Sequence, residues 1–355
     1  MIRTFYPIGQ GAFFTEKHDN INVVYDCGSK SRKNRVDEKI RNAFDNEIID
    51  ILFVSHYDED HINKIHLLLE SNTIKVAILP LLEEIDRILL YNFYLALGLS
   101  KIARLLNSPK DFFGGETKIF FVMPGDYTKG EGQDSITVTI KELQSRNDDP
   151  GNNILENKTI IAADPFWEYI PYNFSFFERN EEFIDLLSQY NIDIEALRND
   201  VNYGLKNTTI LRKIYKEVAG NINENSLIVY SGPIDPSKYI MDFNSHFLSS
   251  YHYRYFEKTA CIYTGDSNFN NVNISYVFAS KWDLVGTIQI PHHGSKKDFN
   301  DNFLGHHSLI CPISFGNENT YGHPNIKAVE TIASRFSIPV LITENTESLH
   351  IQTIR

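Results

Sequence analysis

The sequence predicts an α/β protein made of two sheets flanked by helices. Three observations carry this reading. About a dozen short apolar, β-branched runs recur along the 355 residues. Patterns of helical period fill several of the gaps between them. The runs also tend to end in a polar, chemically able residue. The chain shows no repeat period and no low-complexity tract.

In order, the start reads as a hairpin: Ile2 to Ile8, a turn at Gly9-Gln10-Gly11, and a resumed strand at Ala12-Phe13-Phe14. Ile21 to Tyr25 is a further strand that stops at Asp26-Cys27-Gly28. Ser29 to Arg35 is a polar, basic loop, and Val36 to Asn46 suits a helix. The apolar run Ile48 to Phe53 leads into Val54-Ser55-His56-Tyr57-Asp58-Glu59-Asp60-His61, and an amphipathic run follows at Ile62 to Leu69. Ile74 to Leu79 is a strand stopped by Pro80. Leu81 to Leu106 has apolar residues at helical spacing, with Gly98 as the expected break. Lys118 to Val122 and Ser135 to Ile140 read as strands.

Residues 144–220 change character. They carry an Asn-rich loop (Asn147 to Asn153), aromatic clusters (Phe166-Trp167 and Phe174 to Phe177) and two helical patterns (Glu181 to Tyr190 and Thr208 to Val218). The expectation is one domain over 1–355 with 144–220 as a helical insertion. Strand-like runs return from Asn225: Ser226 to Tyr230, Thr259 to Tyr263, Thr287 to Ile290, Ser308 to Ser314 and Val340 to Thr343. Asn325 to Arg335 reads as a helix.

Bulk composition narrows the function classes. A net charge of -12 argues against a broad basic grip on nucleic acid, although bound divalent ions would reverse the sign locally. Three sparse cysteines, Cys27, Cys261 and Cys311, make no disulfide framework and read as buried thiols in a reducing compartment. Met1 to Glu16 has no signal-peptide pattern. The longest apolar window, Ile88 to Leu99, is shorter than the roughly 20 residues of a membrane span. A cytoplasmic protein without membrane spans is expected.

The strand ends hold the chemistry. His56, Asp58, Asp60 and His61 sit where a strand stops and a helix begins. Residues two apart in an extended loop can face the same way, so His56 and Asp58 can grip one ion while Asp60 and His61 serve another. Imidazole mixed with carboxylate suits zinc, manganese or iron(II) better than calcium. The bland alternative is a polar loop with Asp60 as the helix cap. Thr264-Gly265-Asp266, Pro291-His292-His293-Gly294-Ser295, Tyr25-Asp26-Cys27-Gly28 and Tyr321-Gly322-His323-Pro324 each lie at or beside a strand end too. Each alone reads as a turn, but the ordered set reads as one site.

Together these residues resemble the metallo-β-lactamase superfamily, and within it the nuclease-like domain of ComEC-type competence proteins. His56-x-Asp58-x-Asp60-His61 resembles that branch's metal motif, with Asp58 where most of the superfamily has a histidine. Gly9-Gln10-Gly11 resembles the opening turn and Asp26-x-Gly28 the first acidic motif. Asn225 to Val229 is similar to the strand entering the second half. Thr264-Gly265-Asp266 resembles the bridging-aspartate motif, Pro291 to Ser295 the branch's histidine motif, and Ser314-x-Gly316 with Asn319 and Tyr321 to Pro324 the closing motif. The resemblance covers about 1–140 and 222–355. Ala12 stands where the family opening has an acid, and Asn63-Lys64 replaces two glycines. No histidine precedes Asp266 at the extra ligand position, for which Asp126 is a weak substitute.

The resemblance implies a four-layer αβ/βα sandwich holding one or two divalent ions, zinc or manganese, between its sheets. It places His56, Asp58 and one of His292 or His293 on one ion, Asp60 and His61 on a second, and Asp266 between them, with Asp26 orienting a ligand histidine from behind. The expected reaction is phosphodiester hydrolysis of a nucleic acid or nucleotide. A metal pair would activate water and offset phosphoryl charge. Asp60 would hold or deprotonate the nucleophile. His323 would donate to the leaving oxygen or simply hydrogen-bond behind the ligands. Ser295, Lys296, Lys297 and Tyr321 are candidate substrate contacts. A nuclease, a phosphodiesterase of small nucleotides or cyclic dinucleotides, and a non-catalytic metal-binding module are the readings left open.

Overall fold

The computed structural model describes residues 1–31, 34–125, 136–147, 152–163, 165–174, 181–218, 226–245 and 256–355. Two large sheets face each other. The first runs, in spatial order, Met241–Ser245, His350–Ile354, Ile2–Phe5, Gly11–Lys17, Asn22–Ser29, Ile48–Phe53, Thr73–Pro80, Lys118–Val122 and Ile154–Leu155. The second runs Ile338–Ile342, Ile310–Ser314, Val285–Ile288, Ala260–Tyr263, Leu227–Pro233, Trp167–Phe174, Ile160–Ala162 and Thr137–Thr139.

Strand alternation divides the apolar residues among three cores, which is what four layers require. Val23, Tyr25, Leu227 and Val229 face the space between the sheets, with Trp167, Tyr169 and Tyr263. Their neighbours point outward. Val24 packs under the helices of the first sheet, and Ile228 and Tyr230 pack under those of the second. Strands buried on both faces read as continuous apolar runs, which is why these segments are legible as strands. The expected four-layer αβ/βα sandwich is the architecture observed. Tyr25 Oη donates to Leu227 O at 2.7 Å and Leu227 N donates to Ser55 O at 2.7 Å, tying the sheets together beside the site.

The expected long helix is two helices, Glu84–Leu97 and Ser100–Asn107, broken at Gly98 with φ 82°. The span 144–220, expected as a helical insertion, holds strands as well as helices. Trp167–Phe174 is an inner strand of the second sheet and pairs along its length with Leu227–Pro233, while Ile154–Leu155 closes an edge of the first. Among the described residues of that span the helical block is 181–218, with Glu181–Gln189, Ile194–Asn199, Val201–Lys206 and Thr208–Val218. Its Phe183, Leu187, Leu197, Leu211 and Ile214 join the core against Phe93 and Leu97. Asp126, Ser135, Asn225, residues 148–151 and residues 175–177 lie outside the described residues.

All three cysteines are buried and free. Among the described residues no helix is long and apolar enough to cross a membrane.

Candidate metal centre

The site lies at the carboxyl ends of strands from both sheets, where open α/β sheets place their ligands. Ile48–Phe53 delivers the loop from Ser55 to His61, and Asn22–Ser29 delivers Asp26. Ala260–Tyr263 leads to Asp266, and Val285–Ile288 leads to His292 and His293. Three of these residues hold left-handed backbone: Asp26 (φ 57°), His292 (φ 48°) and His293 (φ 55°). Such conformations cost energy and persist where the surroundings over-determine them. The close approach of backbones explains Gly28, where a Cβ would sit 2.4 Å from the carbonyl carbon of Asp60.

Hydrogen bonds fix the imidazoles. Asp26 accepts from Ser55 N at 2.7 Å, from Ser55 Oγ at 2.6 Å and from His61 Nδ1 at 2.8 Å. Because the Ser55 proton goes to Asp26, Ser55 Oγ is left to accept from His56 Nδ1 at 2.8 Å. His293 Nδ1 donates to Ser314 O at 2.8 Å, and His292 Nδ1 lies 2.6 Å from Asp298 Oδ2. The rings of His56, His61 and His293 are thus held by Nδ1, which leaves their Nε2 lone pairs for another partner.

Those Nε2 atoms converge on carboxylates. His56 Nε2 lies 3.6 Å from Asp58 Oδ2 and 3.8 Å from Asp266 Oδ2. His61 Nε2 lies 3.2 Å from Asp266 Oδ1, and His293 Nε2 lies 3.3 Å from Asp60 Oδ2. His292 Nε2 is 4.0 Å from Asp266 Oδ2. None of these seven residues is more than 7% exposed. Among the described residues, His56 Nε2 and His61 Nε2 are buried with no hydrogen-bond partner. Donors about 2.0–2.2 Å from a tetrahedral ion stand roughly 3.3–3.6 Å from one another, so this spacing fits ligands that share an ion. Two triads bring their donor atoms within 4.8 Å of one another, His56–His61–Asp266 and Asp60–His61–His293. The residues present therefore fit one or two divalent ions.

The buried charges of the site set one another's proton affinities. Burial opposes charge on Asp60, yet the Lys30 ammonium at 3.0 Å, with His293 and His61, holds its carboxyl well below the usual range. Asp266 behaves alike: burial opposes its charge, but His61 and His292 hold it well below the usual range. Asp58 is also lowered, burial being outweighed by His56 and Lys30. His61 is pushed well above its ordinary value, burial being overcome by Asp266 and Asp26. His292 rises to about 9, against burial, through Asp266 and Asp298. His323 falls to about 4, first through burial and then through His293 and His292 beside it.

The structure gathers His56, Asp58, Asp60, His61, Asp266, His292 and His293 in one place, with Asp26 behind His61. Ser314 O turns His293 Nε2 toward Asp60, while His292 Nε2 and His56 Nε2 lie 4.0 and 3.8 Å from Asp266 Oδ2. The helix cap is Asp58 rather than Asp60, and no side-chain capping bond forms. His323 stacks near His292 and His293, at ring separations of 5.6 and 6.1 Å. Ser295 is buried, and its hydroxyl accepts from Lys297 N. Lys296 and Lys297 are exposed, and Tyr321 is half exposed, 5.8 Å from the His323 ring.

Sequence reasoning missed the roles of five supporting side chains. Ser55 and Lys30 flank the motifs, and Asp298 follows the histidine pair. Ser226 opens a strand-like run that speaks only of packing, yet its hydroxyl accepts from Asp266 N at 2.7 Å. Tyr94 carries no local signal: its hydroxyl donates to Asp58 Oδ1 at 2.7 Å from the helix Glu84–Leu97.

Comparison with known proteins agrees with this architecture. The family model described as the metallo-beta-lactamase superfamily matches residues 12–142 of the chain. That fold generally binds divalent metal ions. No curated protein matches the chain. Among solved structures it is similar to human tRNase Z, short form, at 10% identity and TM-score 0.37, covering 96% of this chain and 92% of that one. It is also similar to the metallo-beta-lactamase fold protein YhfI from Bacillus subtilis, at 9% identity and TM-score 0.35, covering 100% and 98%.

Proposed function

We propose that the protein is a metal-dependent phosphodiesterase acting on nucleic acid. The observation that carries the reading is the convergence of fixed Nε2 atoms on Asp58, Asp60 and Asp266, at the ends of strands whose motifs resemble the ComEC-like branch. Asp60, His61 and His293 would hold one ion; His56 and Asp58 would hold the other, with Asp266 between them. Divalent ions bound there would supply Lewis acidity toward a phosphoryl oxygen and lower the pKa of water.

The protein's own groups do the rest. Asp26 and Ser55 keep the His56 and His61 lone pairs turned inward. Asp60 orients the nucleophile. A His323 ring held neutral suits a hydrogen-bonding role behind the ligands. His292, whose Nδ1 is backed by Asp298, is the better candidate to pass its Nε2 proton to the leaving oxygen. Phosphodiester cleavage of small nucleotides is the second reading, favoured by the net charge of -12.

Zinc- or manganese-loaded protein should cleave single- or double-stranded DNA, RNA, a cyclic dinucleotide or bis(p-nitrophenyl) phosphate. Asp60→Ala and His56→Ala should abolish that activity. If no phosphodiester is cut in a mutation-sensitive way while metal is bound, the reading is lost. The preferred substrate separates its two forms.

A further inference from the structure

We propose that Lys30 receives the substrate's phosphate, through an ammonium that Asp60 holds at the mouth of the metal cradle. The assignment rests on the phosphodiesterase reading and names the protein group that would meet the anion.

The backbone places Lys30 deliberately. It follows Ser29, the last residue of the strand Asn22–Ser29. Asn63 grips that strand end from both sides: its Oδ1 accepts from Ser29 N at 2.9 Å and its Nδ2 donates to Ser29 O at 2.9 Å. Lys30 N donates to Gln10 O at 2.7 Å. The side chain is therefore launched from a pinned strand end, two positions beyond the close contact of Gly28 with Asp60.

The two oxygens of Asp60 divide their work. Oδ2 faces His293 Nε2 at 3.3 Å, on the cradle side, whereas Oδ1 meets Lys30 Nζ at 3.0 Å. The Lys30 side chain is 28% exposed and that of Asp60 only 5%. Lys30 therefore spans from the buried acid to solvent, as Lys281 does beside Glu168 at 25% and 5%, and unlike Arg3, which is buried with Glu16 at 0% and 2%. An ammonium carries three donors, so one bond to Asp60 does not exhaust it. Asp60 and Asp58 lie beside it, so Lys30 is a protein cation set among the acids of the cradle.

The test uses zinc-loaded wild type, Lys30→Met and Lys30→Arg. Zinc affinity is read by chelator competition, inorganic phosphate affinity by calorimetry, and bis(p-nitrophenyl) phosphate turnover gives KM and kcat. Lys30→Met should weaken phosphate and raise KM by roughly 10- to 100-fold, the range of a charge-assisted hydrogen bond. Lys30→Arg should recover most of that loss, and zinc affinity should stay within about threefold in both. Lys30→Gln replaces Lys30→Met if circular dichroism shows the latter unfolded. Wild-type-like phosphate binding in the folded neutral variant overturns the proposal. So does a fall in zinc affinity that parallels the phosphate loss, which would make Lys30 a positioning residue for Asp60 alone. A wild type that cuts no phosphodiester, yet binds phosphate through Lys30, sinks the activity reading and leaves the phosphate contact standing.

Discussion

Replacing Asp26 by asparagine tests the logic of the site with a single atom. The residue is fully buried, and its φ of 57° is one that asparagine also tolerates. If the asparagine Oδ1 keeps the Ser55 amide, its NH2 faces Ser55 Oγ and His61 Nδ1. His61 must then move its proton to Nε2 in order to accept. Ser55, now accepting from the amide, must turn its own proton toward His56 Nδ1, so the proton on that ring also moves to Nε2. One substitution thereby blocks two lone pairs that the cradle needs. Loss of one orienting partner typically costs 10–100-fold in metal affinity. The doubled effect here is expected at about 100-fold or more, about 2.7 kcal/mol. The fold itself should lose only about 1–3 kcal/mol, because shape and packing are kept. Zinc affinity by competition with a chromophoric chelator, alongside urea unfolding with chelator present, reads the two costs separately. A folded Asp26→Asn protein that binds zinc within about threefold of wild type would refute the tautomer argument.

Other changes follow from the same geometry. Glu16 is buried between the sheets, where burial opposes its charge but Arg3, His18 and Ser231 hold it below its ordinary 4.5. A depressed carboxyl stabilises the fold above its unfolded pKa, and the contribution is lost as pH falls through and below that value. Glu16→Gln should therefore cost about 3–5 kcal/mol at neutral pH, leaving Arg3 unpaired, and should flatten the acid limb of stability against pH; parallel curves down that limb would contradict it. Gly265→Ala forces a Cβ to 2.6 Å from Ser226 Oγ at φ 56°, and should lower stability by about 1–3 kcal/mol and weaken zinc binding through displaced Ser226; an unchanged melting curve would be the failure. Tyr94→Phe removes the donor to Asp58 Oδ1 and should cost about 1–3 kcal/mol, seen as lost metal at the His56–Asp58 position by elemental analysis; full metal occupancy at limiting zinc would count against that role.

Legibility from sequence follows the range of the interactions concerned. His56, Asp58, Asp60 and His61 share one loop, and the other donors end strands that their own apolar alternation announces. Residue type and local pattern suffice to place them. Trp167–Phe174 is different, because its identity as an inner strand depends on pairing with Leu227–Pro233 across the intervening helical block. Its neighbours are Asn-rich and aromatic, a composition shared by loops. Tyr94 is unreadable for a similar reason: its hydroxyl reaches Asp58 across 36 residues, from a helix whose spacing speaks only of packing. The partition of His293 toward Asp60 depends on a backbone carbonyl, Ser314 O, which no residue type reveals.

The departures from the family pattern make physical sense once they are seen together. Glycines after the metal motif would let the chain turn freely there, but Asn63 and Lys64 tie it down. Asn63 brackets Ser29, Lys64 N donates to Cys27 O at 3.0 Å, and Lys64 Nζ reaches Asp37 Oδ1 at 2.6 Å. The helix that carries Asp60 and His61 is thus fastened to the strand that carries Asp26. That link matters because His61 takes its orientation from Asp26 and gives its lone pair toward Asp266, which sits on the other sheet. A slip between helix and strand would break the bond at His61 Nδ1 and misalign Nε2 at once. In this chain the substituted residues therefore supply a rigid brace, and the same brace sets Lys30 beside Asp60.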